Sequence, residues 1–493
     1  MRSYLGGSNR TGEGRRNCVL RSWKLIPSHP VLCFPANLTS PSADVSVTFC
    51  QMRHPLVVTS NVLQLLACAL LGVLLGALLS LIPAVHIYSA AAVAVPLVAE
   101  ATTGAAAFLC LGMLLGWVFV GNVPSVYLFA PDEGAASAVL PATRMLLQGR
   151  ADHALRLLIA GALGSLIALI ALAPIGDVVL RPFLQIVQPH LAWMVPTVIV
   201  FLVLGEWPRV DETHPTPLRR LAAAWAYLGA GQLTFWLSGL LGMVLMYRSP
   251  LPLDAAQQNL LPAFTGLFTL PGLLQILLFG RQPPRQTIDH AAPAMGALLR
   301  GIVIGIGGGL FAAVLPVISG GIGSLLAGHA SAQRDDKIFL IAQGASRTAY
   351  MVGGFLLLFL PGVAVARGGM SALIVTRDAP DGWRMFWAAI AATAIGGILA
   401  AALAMACSRA WAHAAHRLPA RPAAGAALAA AVLVTWQFTG AAGLGVAAVA
   451  TLIGLIPILG GGRRMNALGV LLIPISLNLA GIGGDVAKFL GLL

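Results

Sequence analysis

Gly76-Ala-Leu-Leu-Ser80-Leu-Ile-Pro83-Ala-Val85 and, 233 residues further on, Gly309-Leu-Phe-Ala-Ala-Val-Leu-Pro316-Val-Ile318 each set a proline deep within a long uncharged apolar stretch. A proline there removes a backbone donor and orphans a carbonyl, and hydrocarbon supplies no replacement partner. Such a break survives only where protein or a polar cavity satisfies the freed groups. Equivalent breaks in two halves of one chain are the sequence sign of a transporter that binds substrate near the bilayer mid-plane. The plainer reading is two ordinary proline kinks, because proline and glycine are frequent in transmembrane helices.

The surrounding composition sets the class. Of 493 residues 58% are hydrophobic and 10% charged, against about a quarter charged in soluble domains. Uncharged runs at 55–99, 101–131, 157–176, 182–205, 221–247, 255–280, 301–333, 385–408, 422–462 and 465–484 meet or exceed the roughly 20 residues of a spanning helix. With 338–366, interrupted by Arg347, they predict an all-α polytopic membrane protein of about 10 to 13 membrane segments in two structural repeats. The net charge of +13 does not point to nucleic acid, since the arginines stand singly or in pairs between apolar runs. Loop orientation and anionic lipid head groups account for it. Cysteines 18, 33, 50, 68, 110 and 407 show no metal-ligand or disulfide-framework spacing. Gly-x-Ser-x-Gly, His-Glu-x-x-His and paired intramembrane aspartates are all missing from the sequence, so no catalytic or metal site and no cofactor is expected.

Residues 1–51 differ in kind, with six basic residues, two acidic ones and no apolar run of signal-peptide length. They are expected to be a disordered basic extension. Because Met52 directly precedes Arg53-His-Pro and the first apolar run, an upstream misassigned start is the favoured explanation, with an Arg-rich transit peptide as the alternative. The rest divides into a first repeat at 52–210, connecting membrane segments and a polar loop at 211–294, and a second repeat at 295–493. The prolines are not the repeat's only mark. Gly121-Asn122-Val-Pro-Ser125-Val-Tyr127 matches Gly344-Ala-Ser-Arg347-Thr348-Ala-Tyr350 at a spacing of 223, a Gly-x-x-x-Ser/Thr-x-Tyr pattern.

At these residues the chain resembles a known family. The stretch from Gly121 through Asp132-Glu133 to Arg144 and Gly149-Arg150, and the later Phe339–Thr348 with Arg367-Gly-Gly-Met-Ser371, are similar to the large permease subunit of tripartite tricarboxylate transporters, its archaeal-type branch above all. The resemblance runs from about Leu56 to Val486-Ala-Lys-Phe-Leu-Gly. It implies uptake of an organic anion such as a di- or tricarboxylate, driven by an H+ or Na+ gradient. A small membrane subunit and a periplasmic binding protein are the implied partners, and a bacterial or archaeal cytoplasmic (inner) membrane is the implied location. The chain departs from the family's usual Pro-Gly at both breaks, having Pro83-Ala84 and Pro316-Val317. A second resemblance competes, because Leu315-Pro-Val-Ile-Ser319-Gly320-Gly321-Ile-Gly323 looks like a signature of membrane proteins that recycle undecaprenyl phosphate.

Several side chains carry the expected chemistry. Ser319, Gly320, Gly321 and Gly323 follow Pro316 and would present backbone amides at a half-helix N-terminus, where dipole and orphan N–H groups favour anions. The alternative for these glycines is close helix packing. His86 occupies the position matching Ser319 beside Pro83 and would titrate with a co-transported proton. Arg347 offers a fixed charge with a planar donor fork for carboxylate or phosphate. Its alternatives are snorkelling at a boundary or pairing with Asp335 or Asp336. Asn122, Ser125, Tyr127, Thr348 and Tyr350 complete the predicted substrate-binding set. Asp132, Glu133 and Arg144 are the predicted coupling or gating residues, provided that 121–131 re-enters the membrane.

Overall fold

The computed structural model describes residues 61–493 apart from 83–86, 88–89, 92–93, 96–103, 129–138, 206–215, 252–258, 281–282, 289–291, 317, 333–334, 362–367, 376–379 and 418. The expectations for residues 1–51, Met52, Pro83, His86, Asp132 and Glu133 lie outside the described residues. Within them the chain is helical and has no strand. The helices are α1 (Val62–Ser80), α2 (Ala105–Tyr127), α3 (Val139–Leu147), α4 (Ala151–Leu172), α5 (Gly176–Val187), α6 (Leu191–Leu204), α7 (Pro217–Tyr247), α8 (Leu260–Phe279), α9 (Met295–Val314), α10 (Gly320–Ala330), α11 (Asp336–Thr348), α12 (Gly368–Val375), α13 (Trp383–Ala414), α14 (Ala420–Leu459), α15 (Gly469–Leu479) and α16 (Gly483–Phe489).

Eight stretches among the described residues are long and apolar enough to cross a bilayer, or nine if the pair Arg464–Leu479 and Gly483–Phe489, bent by 115°, is one span. The 301–333 run is cut: α9 ends at Val314 and the 11-residue α10 is too short to cross alone, while α11, which carries Arg347, continues through a π turn to Leu356. Helices α4 to α6 instead run end to end over 54 residues, roughly 80 Å, more than twice a bilayer's ~30 Å hydrocarbon core. Single 3-10 turns at Ala173–Ile175 and Gln188–His190, each with a proline, interrupt them. Helix α14 is broken at Gly440, whose φ of 62° is left-handed and costs glycine nothing.

Small residues decide how the helices meet. On α1, Leu71, Leu74 and Leu78 are exposed while Gly72, Val73, Gly76 and Ala77 are buried, so the bulky face is left for lipid. A methyl on Gly72 would overlap the Leu109 carbonyl and one on Gly76 the Met113 carbonyl, while Gly112 and Gly116 of α2 answer against the backbones of Ala69 and Val73. These contacts advance together along both helices, so α1 and α2 run parallel. The same arrangement recurs 233 residues on, where Gly305 meets Ala342 and Gly309 meets Ser346. Between α9 and α11 the chain turns at Pro316, and α10 doubles back with Gly323 against Gly308. The Gly-x-x-x-Gly patches at 72–76, 112–116 and 301–305 thus serve packing within the chain.

Two apolar cores result. One gathers α1, α2, α4, α11 and α13, and the other gathers α8, α15, parts of α7 and α14, and the residues around the break, Ala312 to Ile322. Tyr350 touches both. The break at Pro316 and the helix carrying Arg347 therefore lie on the seam between them.

Candidate functional site

Helix α2 is the axis of the site, and every residue from Ala105 to Tyr127 is buried. Near its end Gly121 and Asn122 face Arg347, the largest fully buried side chain among the described residues, 1% exposed. Arg347 donates to Asn122 Oδ1 at 2.9 Å and to the Val118 carbonyl at 3.4 Å. Asn122 is itself fixed by donating to the same Val118 carbonyl at 2.8 Å and to that of Phe119 at 3.3 Å. A methyl on Gly121 would lie 3.4 Å from Arg347 Nη2 and 3.5 Å from Ser80 Cβ. Ser80 is the last residue of α1, three residues before Pro83 in the sequence.

The break at Pro316 brings in the start of α10. Ser319 caps α10 by accepting from Ile322 N at 3.4 Å. A methyl on Gly320 would sit 2.9 Å from Arg347 Cα and 3.1 Å from Tyr350 Cβ, and Ser346 Oγ donates to the Gly320 carbonyl at 2.7 Å. Thus the last turns of α2 meet the guanidinium of Arg347, the end of α1 reaches Gly121 beside it, and the start of α10 packs on the backbone of Arg347 in α11. Directly after it the helix widens into a π turn at Ala349–Gly353, a distortion frequent at functional sites.

Other residues are placed differently. Arg347 neither snorkels nor pairs with the acids of its own helix. Asp335 caps α11 through Lys337 N, and Asp336 lies eleven residues from Arg347, about 16 Å of helical rise. Ser125 and Thr348 spend their hydroxyls on the carbonyls of Gly121 and Gly344, one turn back. Gly321 and Gly323 are buried along α10, Gly323 in the crossing with α9. Tyr350 borders Gly320, whereas Tyr127 points to Ser408 and stacks on Trp411. The two tyrosines of the Gly-x-x-x-Ser/Thr-x-Tyr match therefore occupy unlike surroundings. The helix crossings keep the 233 spacing of the prolines, not the 223 spacing of that match.

Arg144 pairs with Asp336 at 3.1 Å, the two side chains being 62% and 39% exposed. A pair so open to solvent contributes about 0–1 kcal/mol. Arg144→Gln is expected to leave the thermal midpoint within about 2 °C; a larger drop in a detergent melt would show that the pair supports the fold.

Sequence reasoning assigned no role to several buried polar groups. Asp152 and Ser408 have no exposed surface and are bonded to each other, and Ser324 Oγ on α10 is buried without a hydrogen-bond partner. Asp152 carried a weak local signal, an acid four residues before Arg156 at the head of an apolar run. Among the described residues, no three His, Cys, Asp or Glu side chains converge as metal ligands would.

A family model described as the Tripartite tricarboxylate transporter TctA family matches residues 66–469, most of the chain. No curated protein and no solved structure matches it.

Proposed function

We infer, from the premise that this chain belongs to the tripartite tricarboxylate transporter TctA family, that it is a gradient-driven permease for a di- or tricarboxylate which binds at Arg347. The observation carrying this reading is the buried Arg347, whose guanidinium is held by the end of α2 and whose backbone packs on the start of α10, directly after the break at Pro316. A fork of donors held in the interior matches a carboxylate better than any solvated lysine would. Asn122 holds the guanidinium, the Ser319-capped start of α10 packs on the backbone of Arg347 at Gly320, and Pro83 and His86 follow Ser80 in the chain. The 1% exposure of Arg347 fits an occluded state, and the seam between the two apolar cores is where relative motion would open it.

The recurring crossings at a spacing of 233 support two structural repeats, with Pro83 and Pro316 as counterparts. The family supports a small membrane subunit and a binding protein as partners and, with them, the cytoplasmic membrane of a bacterium or archaeon. Coupling to H+ or Na+ follows from the same reading.

Ligand-dependent stabilisation of the purified protein tests it, because a ligand that binds only the folded state raises the melting temperature. Citrate and succinate at 100 times Kd are expected to add about 2.7 kcal/mol. Stabilisation by a short-chain polyprenyl phosphate, with no response to either carboxylate, would instead assign the chain to lipid-phosphate recycling.

A further inference from the structure

Helices α1 and α9 start 233 residues apart, at Val62 and Met295, and each precedes its proline, Pro83 or Pro316, by the same interval. Each also runs parallel to the helix that its glycines cross, α2 and α11 respectively. How one pair lies relative to the other is fixed by α2 against α11. Asn122, near the end of α2, meets Arg347. Phe108, fourteen residues and about 21 Å earlier in that helix, meets Phe359, twelve residues beyond Arg347, with ring centroids 5.4 Å apart. The two contacts come in opposite order along the two segments. Helices α2 and α11 are therefore antiparallel, and with them α1 and α9.

Other helices sort to the same two ends. Where α2 finishes, Tyr127 bonds to Ser408 near the end of α13, and Ser408 reaches Asp152 at the start of α4. Arg144 joins the start of α11 at Asp336, and Thr287, shortly before α9, donates to the Gly149 carbonyl. Leu128, just past α2, packs with Leu273 of α8 and Ala424 of α14. Helix α7 begins here too, since a methyl on Gly461 would overlap the Tyr227 ring, close to where Arg464 meets Gln275 of α8. At the opposite end Gly104, the N-cap of α2, lies against Met385 at the start of α13. Arg181 of α5 donates there to the Pro361 carbonyl, two residues past Phe359. Arg248, at the far end of α7, bonds to the Gly491 carbonyl. Of the 17 described lysines and arginines other than Arg347, 13 stand at the first end and four at the second. Such an excess marks the cytoplasmic face.

We propose that the two repeats are inserted upside down with respect to one another around the Arg347 site, with the basic end in the cytoplasm. Helix α9 then enters the membrane from the cytoplasm, and α1 from the opposite face. The assignment rests on the reading of the Arg347 site given above and deepens it, because Asn122 and Arg347, which meet at that site, come from oppositely inserted halves. Inverted repeats with a substrate site at their interface are the arrangement on which alternating access is built. Parallel repeats would instead start α1 and α9 on the same face.

Accessibility of single cysteines tests this. Asn61 and Ala294 are the N-cap residues of α1 and α9, 233 residues apart and both exposed. Each is replaced by cysteine, as Asn61→Cys and Ala294→Cys, in the full chain whose own six cysteines are changed to alanine. In intact cells of a bacterial host, a membrane-impermeant maleimide is expected to label Asn61→Cys from outside, and Ala294→Cys only after permeabilisation. Should either variant fail to insert, Arg384→Cys at the start of α13 takes the place of the first and Arg421→Cys at the start of α14 that of the second, with the same expectations. Labelling of both cysteines from one face overturns the inversion. Labelling of Ala294→Cys from outside and of Asn61→Cys only after permeabilisation overturns the cytoplasmic assignment of the basic end. The labelling needs no anion, so its failure is distinct from a failure of citrate and succinate to stabilise the protein, which overturns the Arg347 reading alone.

Discussion

Arg347→Ala is expected to abolish carboxylate binding and uptake, and the neighbouring Asn122→Asp to weaken both while keeping the fold. Removing a buried charged partner costs about 2–5 kcal/mol, or some thirty- to several-thousandfold in affinity. Arg347→Ala also strips a donor from the buried Asn122 Oδ1 and the Val118 carbonyl, at about 1–3 kcal/mol of stability for an acceptor left unmatched. A fall in binding with that variant alone is thus open to a structural cause. Asn122→Asp separates the causes. It builds a carboxylate 2.9 Å from the guanidinium, an internal competitor for the substrate, and the ion pair gained offsets the amide bonds lost to Val118 and Phe119. Arg347→Lys keeps the charge but loses the fork, and belongs between wild type and alanine. The check is anion affinity plotted against melting temperature for all three. If affinity simply tracks stability across them, Arg347 is a packing residue.

The physical grounds on which parts of this site are legible in the sequence differ. Pro316 is legible because a missing backbone donor in an apolar run has few outcomes, and the chain does stop at Val314 and restart at Gly320. Arg347 is legible because an arginine among apolar residues must find partners. Which partners it finds is not local information. Asn122 lies 225 residues away and Asp152 meets Ser408 across 256, distances that no periodicity or spacing encodes. Asp152, close to Arg150 and Arg156, reads as an ordinary helix start. Only the folding of α13 against α4 withdraws it from water. The Gly-x-x-x-Ser/Thr-x-Tyr match fails for a related reason. Its glycines and hydroxyls are common in membrane helices for packing and for bonding to the preceding turn, so their recurrence carries little register. The glycine crossings do carry register, because each requires two backbones at one place.

Those crossings yield the sharpest stability contrast, between adjacent residues of one helix. Gly307, Gly308 and Gly309 follow one another in α9, yet a methyl on Gly307 meets nothing within 4 Å, one on Gly308 overlaps the Gly323 carbonyl, and one on Gly309 overlaps that of Ser346. Backbone atoms cannot swing away as a side-chain tip can, so alanine at 308 must push α10 off α9, and alanine at 309 must push α11 off it. Overpacking of this sort costs about 1–3 kcal/mol or more. At 307 alanine removes only the backbone entropy of glycine, a gain of about 0.5–1 kcal/mol in a helix interior. Gly307→Ala is therefore expected to melt at or above the wild-type temperature, and Gly308→Ala and Gly309→Ala clearly below it. The Gly308 contact sets how α10 lies beside α9, and the Gly309 contact lies at Ser346, next to Arg347. Both variants should therefore lose anion affinity beyond their loss of stability when measured well below their melting points. Equal melting of all three would mean that α9 does not cross α10 and α11 at these glycines, and the convergence on Arg347 would fall with it.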